Sequence, residues 1–328
     1  MAGAFTGYPE GHLYGYLLIR GIRLSVLEKG EKHMAFTALQ EIVEKCKQEG
    51  KAFWQVVLED DMQERNTEET VSLEQMKHIW EAILSAEEGY EGELSSSSGL
   101  SGGDGAKIAE YYRAQSGNAL CCGLVSQAVC IAVRMAESNA CMKRIVAAPT
   151  AGSCGVLPAV LVPLYREGKA SEEQILQAMF TAAGIGQVIA LRASISGAAG
   201  GCQAEIGSAS AMAAGALTCL QGGSAEQIIH AAAIALKGLL GLVCDPVGGL
   251  VEVPCIKRNV IGAIQAMSSA DLAMAGITSR IPPDQVIDAM REIGDKMDSS
   301  LKETAKGGLA ATPAALSYVA VAGSQEQL

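Results

Sequence analysis

From Met34 the chain carries a regular alternation of apolar and charged positions. The stretch MAFTALQEIVEKCKQEG (34–50) is amphipathic, and so are Phe53 to Glu64 and TVSLEQMKHIWEAILSAEE (70–88). Apolar residues at three-to-four spacing predict helices with one solvated face. Between Ala119 and Leu240 the pattern becomes apolar helix after apolar helix, broken by glycine-rich turns. Examples are PTAGSCGVLPAVLVPLY (149–165), SISGAAGGCQAEIGSASAMAAGA (194–216) and SAEQIIHAAAIALKGLLGL (224–242). Pro282 and Pro283 open PPDQVIDAMREIGDKM, where proline suits a first helical turn. No segment alternates with the period of two that marks a strand. The fold expected is all-α, with residues 34–328 as one helical domain and no internal repeat.

Residues 1–33 lack the helical period and hold His12 and His33. The codons available for EKGEKHM are rich in purines, as a ribosome-binding site is. Met34 therefore reads as the start, and 1–33 as a non-native or disordered leader. The stretch YGYLLIRGIRLSVLEKG is no secretory signal, because Arg20 and Arg23 break its apolar run. The longest charge-free stretch, Gln174 to Leu191, holds glutamines and glycines and reads as a buried helix in preference to a membrane span.

Composition sharpens this picture in two respects. Nearly half the residues are hydrophobic yet only 4% are aromatic, and 37 are glycine, which favours helices meeting through small residues over a β-sandwich. The net charge of −11, with no Lys/Arg run, argues against a nucleic-acid partner. A cytoplasmic location is expected. Ten cysteines in a reducing compartment are then no disulfide framework.

Four loops invite a chemical reading, one rich in serine and three beside cysteines. SSSSGLSGGDGAK (95–107) leads into a helix near Asp104 and is either a flexible linker or an anion cradle of backbone N–H groups and serine hydroxyls. Of the histidines, His78 reads as a surface residue and His230 as a core or interface residue. Zinc-protease, nucleophile-elbow and dinucleotide-binding motifs are all absent from the sequence. Among the cysteines, Cys46, Cys121, Cys122, Cys130, Cys141 and Cys219 read as small core residues, and Cys154 in its glycine loop is ambiguous. Cys202, Cys244 and Cys255 differ, since each flanks a glycine- or proline-rich loop: GAAGGCQAE, GLVCDPVGG and VEVPCIKRN. They are either three unrelated thiols or the ligands of an iron–sulfur cluster with one open iron. Lys257, Arg258 and Asn259 follow the third cysteine, either as a helix-start cluster or as groups beside the site.

SISGAAGGCQAEIGSASAMAAGAL, GLVCDPVGGLVEVPCIKRN and KETAKGGLAATPAA resemble the iron–sulfur-dependent L-serine dehydratases, most closely the alpha subunit of the two-subunit form. PTAGSCGVLPAVL and SGLSGGDGAK fit the same family, so the resemblance runs from about Met34 onward. It implies an all-helical catalytic unit with glycine-rich loops around a [4Fe–4S] cluster held by Cys202, Cys244 and Cys255. It also implies the conversion of L-serine to pyruvate and ammonia by α,β-elimination of water. The cluster would act as a Lewis acid and carry no electrons.

Under that implication the loops at 95–103 and 149–155 grip the substrate, through Ser98, Ser101, Thr150 and Ser153, with Asn259. Lys257 and Arg258 would stand behind the cluster ligands. The general base is unassigned and is expected from a separate beta subunit. No cysteine follows Cys255, so the C-terminal cysteine that caps the open iron in some single-chain members is not expected here. Rival readings are an L-cysteine desulfidase of the same family, a pyridoxal-phosphate dehydratase and a non-catalytic iron–sulfur protein.

Overall fold

The computed structural model describes residues 36–325, with side chains described to residue 320. The leader expected at 1–33, with His12 and His33, lies outside the described residues. The helices are α1 (Leu39–Glu49), α2 (Phe53–Arg65), α3 (Glu69–Glu88), α4 (Asp104–Gln115), α5 (Leu124–Ala140), α6 (Val156–Arg166) and α7 (Glu172–Arg192). They continue with the single turn α8 (Gly197–Gly200), then α9 (Ser208–Leu220), α10 (Ala225–Lys237), α11 (Cys255–Met274), α12 (Pro283–Lys296) and α13 (Pro313–Gln325). Among the described residues there is no strand, only an isolated parallel bridge between Cys244 and Lys302. The all-α class expected from the sequence is what the chain adopts.

Helix ends follow local chemistry. Ser171 and Ser224 open α7 and α10, each accepting a hydrogen bond from the N–H three residues on, of Gln174 and Gln227. The glutamine side chains return to the serine N–H groups at 2.9 Å, closing two capping boxes. Pro283 begins α12, as its position predicts. Asp284 in the same turn accepts from the N–H groups of Leu39 and Gln40 at 2.7 and 3.2 Å. One carboxylate thus satisfies two orphan donors at the start of α1 and ties it to α12.

The core is organised around α9, where every residue from Ser208 to Thr218 is buried. It packs against α7, α10, α11 and α6. Small residues set these approaches: a Cβ on Gly215 would lie 2.1 Å from Ile185 Cδ1 of α7, and one on Gly184 2.4 Å from Val57 Cγ2 of α2. Bulk is supplied elsewhere, by Phe53 and by Trp80, which meets Tyr165 edge-on with ring centroids 5.4 Å apart. Each fully buried side chain of this kind contributes about 1.5–3 kcal/mol. By length and composition α7 could cross a membrane. It lies instead in the core, with Ile175, Met179, Ile185 and Ile189 fully buried, as expected for the charge-free stretch.

The cysteine expectations need correction. Cys46 is buried, but Cys122 is exposed and Cys121, Cys130, Cys141 and Cys219 are only half-buried. The segment 116–123 is not helical. Ser116, Gly117 and Gly123 adopt positive φ, and α5 starts only at Leu124. Apolar content alone did not reveal that turn.

One packing relationship positions everything that follows. Gly262 of α11 lies against Ile206 and Val156, the residues that lead into α9 and begin α6, and Ser210 Oγ donates to Gly262 O at 2.8 Å. Further along, Leu217 of α9, Met267 of α11 and Val160 of α6 share one cavity wall. The contacts follow the same order along all three helices, so the starts of α6 and α9 lie beside the first turns of α11. N-terminal peptide dipoles carry partial positive charge, so this end is suited to anionic groups.

Candidate active site

All three singled-out cysteines lie at that end. Cys202 immediately precedes a π turn (Gln203–Gly207) that runs into α9, and Cys255 is the first residue of α11. Cys244 sits on the bridge to Lys302, its N–H donating to Leu301 O at 2.8 Å and its carbonyl accepting from the Glu303 N–H at 2.7 Å. The three are 3%, 3% and 9% exposed, so they form a buried thiol set and not a surface scatter. Burial, then the Glu205 carboxylate, pushes the Cys202 thiol up to about 12. Burial raises Cys244 and Cys255 further, and the neighbouring sulfurs add to it: Cys202 and Cys255 act on Cys244, and Cys202 acts on Cys255.

Buried struts fix this arrangement. Gln203 is fully buried and donates to Gly200 O and Met290 O, while its Oε1 accepts from the Gly241 N–H at 2.9 Å. Its own N–H donates to Leu242 O at 2.9 Å, so the Cys202 turn is tied to the strand of chain leading to Cys244. Arg258, in the first turn of α11, donates to Val243 O at 2.7 Å and to Asp245 Oδ1 at 2.8 Å, and its guanidinium also meets the Cys202 sulfur. Asp245 in turn accepts from the Leu309 N–H at 2.8 Å, drawing the 307–312 segment over the loop. Between Cys244 and Cys255 the chain reverses through Gly248 and Gly249 at φ 64° and 74°, a conformation that favours glycine. Gly197 approaches most closely: a Cβ there would stand 3.0 Å from Cys244 Sγ and 2.8 Å from Glu205 Oε2.

The loops expected to grip substrate come to the same region, with different duties for their residues. Thr150 and Ser153 form a small turn, their hydroxyls 3.1 Å apart, and Thr150 also donates to Glu205. Asn259 is 1% exposed and spent on backbone: it donates to Gly152 O and Cys255 O and accepts from the Gly155 N–H. It staples the 149–155 loop to α11. Ser98 donates to both oxygens of Glu252 at 2.9 Å. The Ser101 hydroxyl is buried with no hydrogen-bond partner. Lys257 points outward, 57% exposed, and pairs with Asp104 at 2.6 Å, whereas its neighbour Arg258 turns in toward the cysteines.

Four acidic residues escaped the sequence reading although each lies inside a quoted motif: Glu205 in GGCQAE, Asp245 in CDP, Glu252 in VEVPC and Glu303 in KETAKGG. Glu205 faces Cys244, its Oε2 4.0 Å from the sulfur, and burial holds its carboxyl up at about 7 against the Thr150 hydrogen bond. Glu303 adopts a left-handed φ of 59°, and burial raises its carboxyl, which accepts from the Ala198 N–H. Their position beside the cysteine motifs was the available signal. By contrast, His78 is exposed on α3, and His230 lies half-buried on α10, where Nδ1 accepts from the Ser279 N–H at 3.3 Å. A cavity of about 320 Å³ lies toward the far end of α11, lined by Leu124, Pro163, Met267 and Asp271 among others, and includes none of the three cysteines or the acidic residues around them.

Comparison with known proteins now bears on this geometry. The family model described as serine dehydratase alpha chain matches residues 48–310. This chain belongs to that family. A Bacillus subtilis protein named probable L-serine dehydratase, alpha chain, is 48% identical over 279 residues, 85% of this chain and 92% of that one. The L-serine dehydratase alpha chain of Peptoniphilus asaccharolyticus is 41% identical over 274 residues, 83% of this chain and 92% of that one. The Escherichia coli protein named L-serine dehydratase TdcG is 46% identical over 181 residues, which are 55% of this chain and 40% of that one.

The resemblance also implied an iron–sulfur cluster, and the residues present fit such a group. The donor set is three buried thiols, the soft ligands that iron–sulfur clusters take. Among the described residues no group of three or more His, Cys, Asp or Glu side chains is arranged to hold a single metal ion. The three thiols are close enough to act on one another electrostatically. The Arg258 guanidinium opposes the effect of burial on Cys202 and Cys255, and a helix N-terminus beside a thiol acts in the same sense.

Proposed function

We propose that this chain is the catalytic alpha subunit of an L-serine dehydratase, converting L-serine to pyruvate and ammonia by α,β-elimination of water. The observation that carries the reading is the convergence of Cys202, Cys244 and Cys255 at one buried end of the bundle. Relatives matched over 92% of their length bear the L-serine dehydratase name. On this reading the three cysteines hold a [4Fe–4S] cluster. When bound, it supplies a Lewis-acidic iron that stabilises charge on the departing hydroxyl oxygen.

The chain's own residues orient and balance. Ser101 presents a hydroxyl donor to the substrate carboxylate, and the Thr150–Ser153 turn holds Glu205 beside it. The aligned helix N-termini favour that anion over a neutral competitor. Arg258 offsets the thiolate charge and holds the Cys244 loop in place through Asp245. Struts such as Gln203 and Asn259 fix the loops before substrate arrives, so little orientational entropy remains to be lost in the reaction.

The base that takes the α-proton is assigned to a separate beta subunit. Relatives named alpha chain are matched over nearly their whole length, whereas the Escherichia coli relative extends far beyond the matched region. That contrast supports a two-chain enzyme whose second chain corresponds to the extra length. A reducing, cytoplasmic setting accords with ten unpaired cysteines. Anaerobic rebuilding of the cluster, with and without the beta chain, followed by pyruvate and sulfide assays on L-serine and L-cysteine, tests the reading. Pyruvate from L-serine in the two-chain complex is the expected result. Faster sulfide release from L-cysteine, or no pyruvate from the loaded complex, rejects it.

A further inference from the structure

Glu252 stands three residues before Cys255 and is 4% exposed. A buried carboxylate is tolerated only when it is paired or hydrogen-bonded. Here the donors come from the far side of the sequence: Ser96 Oγ at 2.8 Å, and Ser98 Oγ at 2.9 Å to each oxygen. Ser96 Oγ also lies 3.0 Å from Ser98 Oγ and accepts from the Ser101 N–H at 3.3 Å, while the Ser96 N–H donates to Ser101 O at 2.9 Å. The turn is closed tightly behind them, since a Cβ on Gly102 would lie 2.0 Å from Leu94 O. The loop is therefore a compact ring whose outward serines are consumed by Glu252.

One hydroxyl in that ring is left over. Ser101 is 8% exposed, and its Oγ has no hydrogen-bond partner. An unsatisfied buried hydroxyl costs about 1–3 kcal/mol, which a ligand group bonded to it would recover. Its neighbours in the loop are held on the very segment that carries two of the three cysteines.

Resting on the serine-dehydratase reading, we propose that Glu252 is a positioning residue. It sequesters the Ser96 and Ser98 hydroxyls, locks the 95–103 loop to the Cys244–Cys255 segment, and leaves Ser101 as the hydroxyl that receives the substrate carboxylate. The grip on the carboxylate and the cysteine-held face then keep a fixed separation, which selects a short 2-amino-3-hydroxy acid over longer homologues.

The test uses the loaded two-chain complex with Glu252→Gln, Ser101→Ala and the double variant. Glu252→Gln is expected to raise KM for L-serine about 10- to 100-fold, the range for losing a hydrogen bond to a charged group. The iron content and visible absorbance stay at the wild-type level, and kcat falls less than KM rises. Calorimetric affinity for L-serine falls by the same factor. Ser101→Ala behaves alike, and the double variant is no worse than Ser101→Ala alone, because Glu252 acts through Ser101. Unchanged KM in Glu252→Gln, loss of the cluster in that variant, or additive losses in the double variant overturn the proposal. If Glu252→Gln does not fold, Ser101→Ala decides: wild-type KM and affinity overturn it. A wild-type complex that binds L-serine without making pyruvate contradicts the function and leaves this assignment standing.

Discussion

The Arg258 guanidinium and the Asp245 carboxylate form a buried ion pair at 2.8 Å, joining the residue after Cys244 to the first turn that follows Cys255, with the guanidinium against Cys202. Removing one partner of such a pair strands the other's charge away from water, which costs about 3–5 kcal/mol. Asp245→Ala is therefore expected to lower urea stability by an amount in that range and to reduce cluster loading. Arg258→Lys retains charge but loses the two-point grip on Val243 O and Asp245 Oδ1. It is expected to keep more stability than Asp245→Ala while still loading poorly. Urea titration beside iron analysis separates the two effects, and a fully loaded, fully stable Asp245→Ala protein contradicts the role given to this pair.

Gly197→Ala probes the tightest approach to the thiol set. The added methyl meets Cys244 Sγ at 3.0 Å and Glu205 Oε2 at 2.8 Å, and the Cys244 sulfur is buried with little room to retreat. The helical circular dichroism is expected to be unchanged, because α8 is a single turn outside the main core contacts. Cluster content after anaerobic rebuilding is expected to fall by more than half. Wild-type loading in this variant goes against a tightly enclosed site.

Glu205→Gln keeps shape and removes charge from the carboxyl group nearest Cys244. The account expects normal iron content, since Glu205 is not among the three ligands, together with a kcat lowered at least about 10-fold, the size expected when a charged partner is lost near reacting atoms. Steady-state kinetics on the loaded two-chain complex gives the answer. An unchanged kcat makes Glu205 a packing residue only.

Asn259→Ala removes two hydrogen bonds that tie the 149–155 loop to α11, and a third within the first turn of α11. Groups left unsatisfied in a buried site cost about 1–3 kcal/mol each. The expected outcome is a several-degree fall in Tm, faster hydrogen exchange at Gly152–Gly155 and a raised KM. Exchange confined to other segments, with Gly152–Gly155 as slow as in the wild type, argues against the staple.

Thiol labelling reads the corrected cysteine map. Cys122 is exposed and reacts first, whereas Cys154 is fully buried and its thiol is pushed up to about 12 by burial. Labelling is followed between pH 7 and pH 9. Cys154 stays unlabelled over that window until the protein is unfolded, as peptide mapping by mass spectrometry can establish.

Much of this molecule could be read before its structure, for identifiable reasons. The helices α3 and α12 follow from apolar spacing and from Pro283, and both are governed by residues within a turn of one another. The small-residue core follows from composition, because Gly184 and Gly215 can be close neighbours of Val57 and Ile185 only if no Cβ intervenes. The three cysteines stood out through the loops that flank them. What the sequence concealed is set by distant packing. Ser98 meets Glu252 across 154 residues, and Asn259 reaches Gly155 across 104, distances at which local pattern carries no signal. Asn259 and Lys257 looked alike as polar residues after Cys255, yet the helix turns one into the loop and the other into solvent.

The most direct test of the central claim is the cluster content of cysteine variants after anaerobic rebuilding with iron and sulfide. The account predicts that the wild-type chain gains the broad visible absorbance of an iron–sulfur cluster, and that Cys202→Ala, Cys244→Ala and Cys255→Ala each lose it. Cys130→Ala and Cys219→Ala retain it. A cluster that survives loss of any one of the first three, or that disappears with Cys130 or Cys219, contradicts the assignment of the three-thiol site.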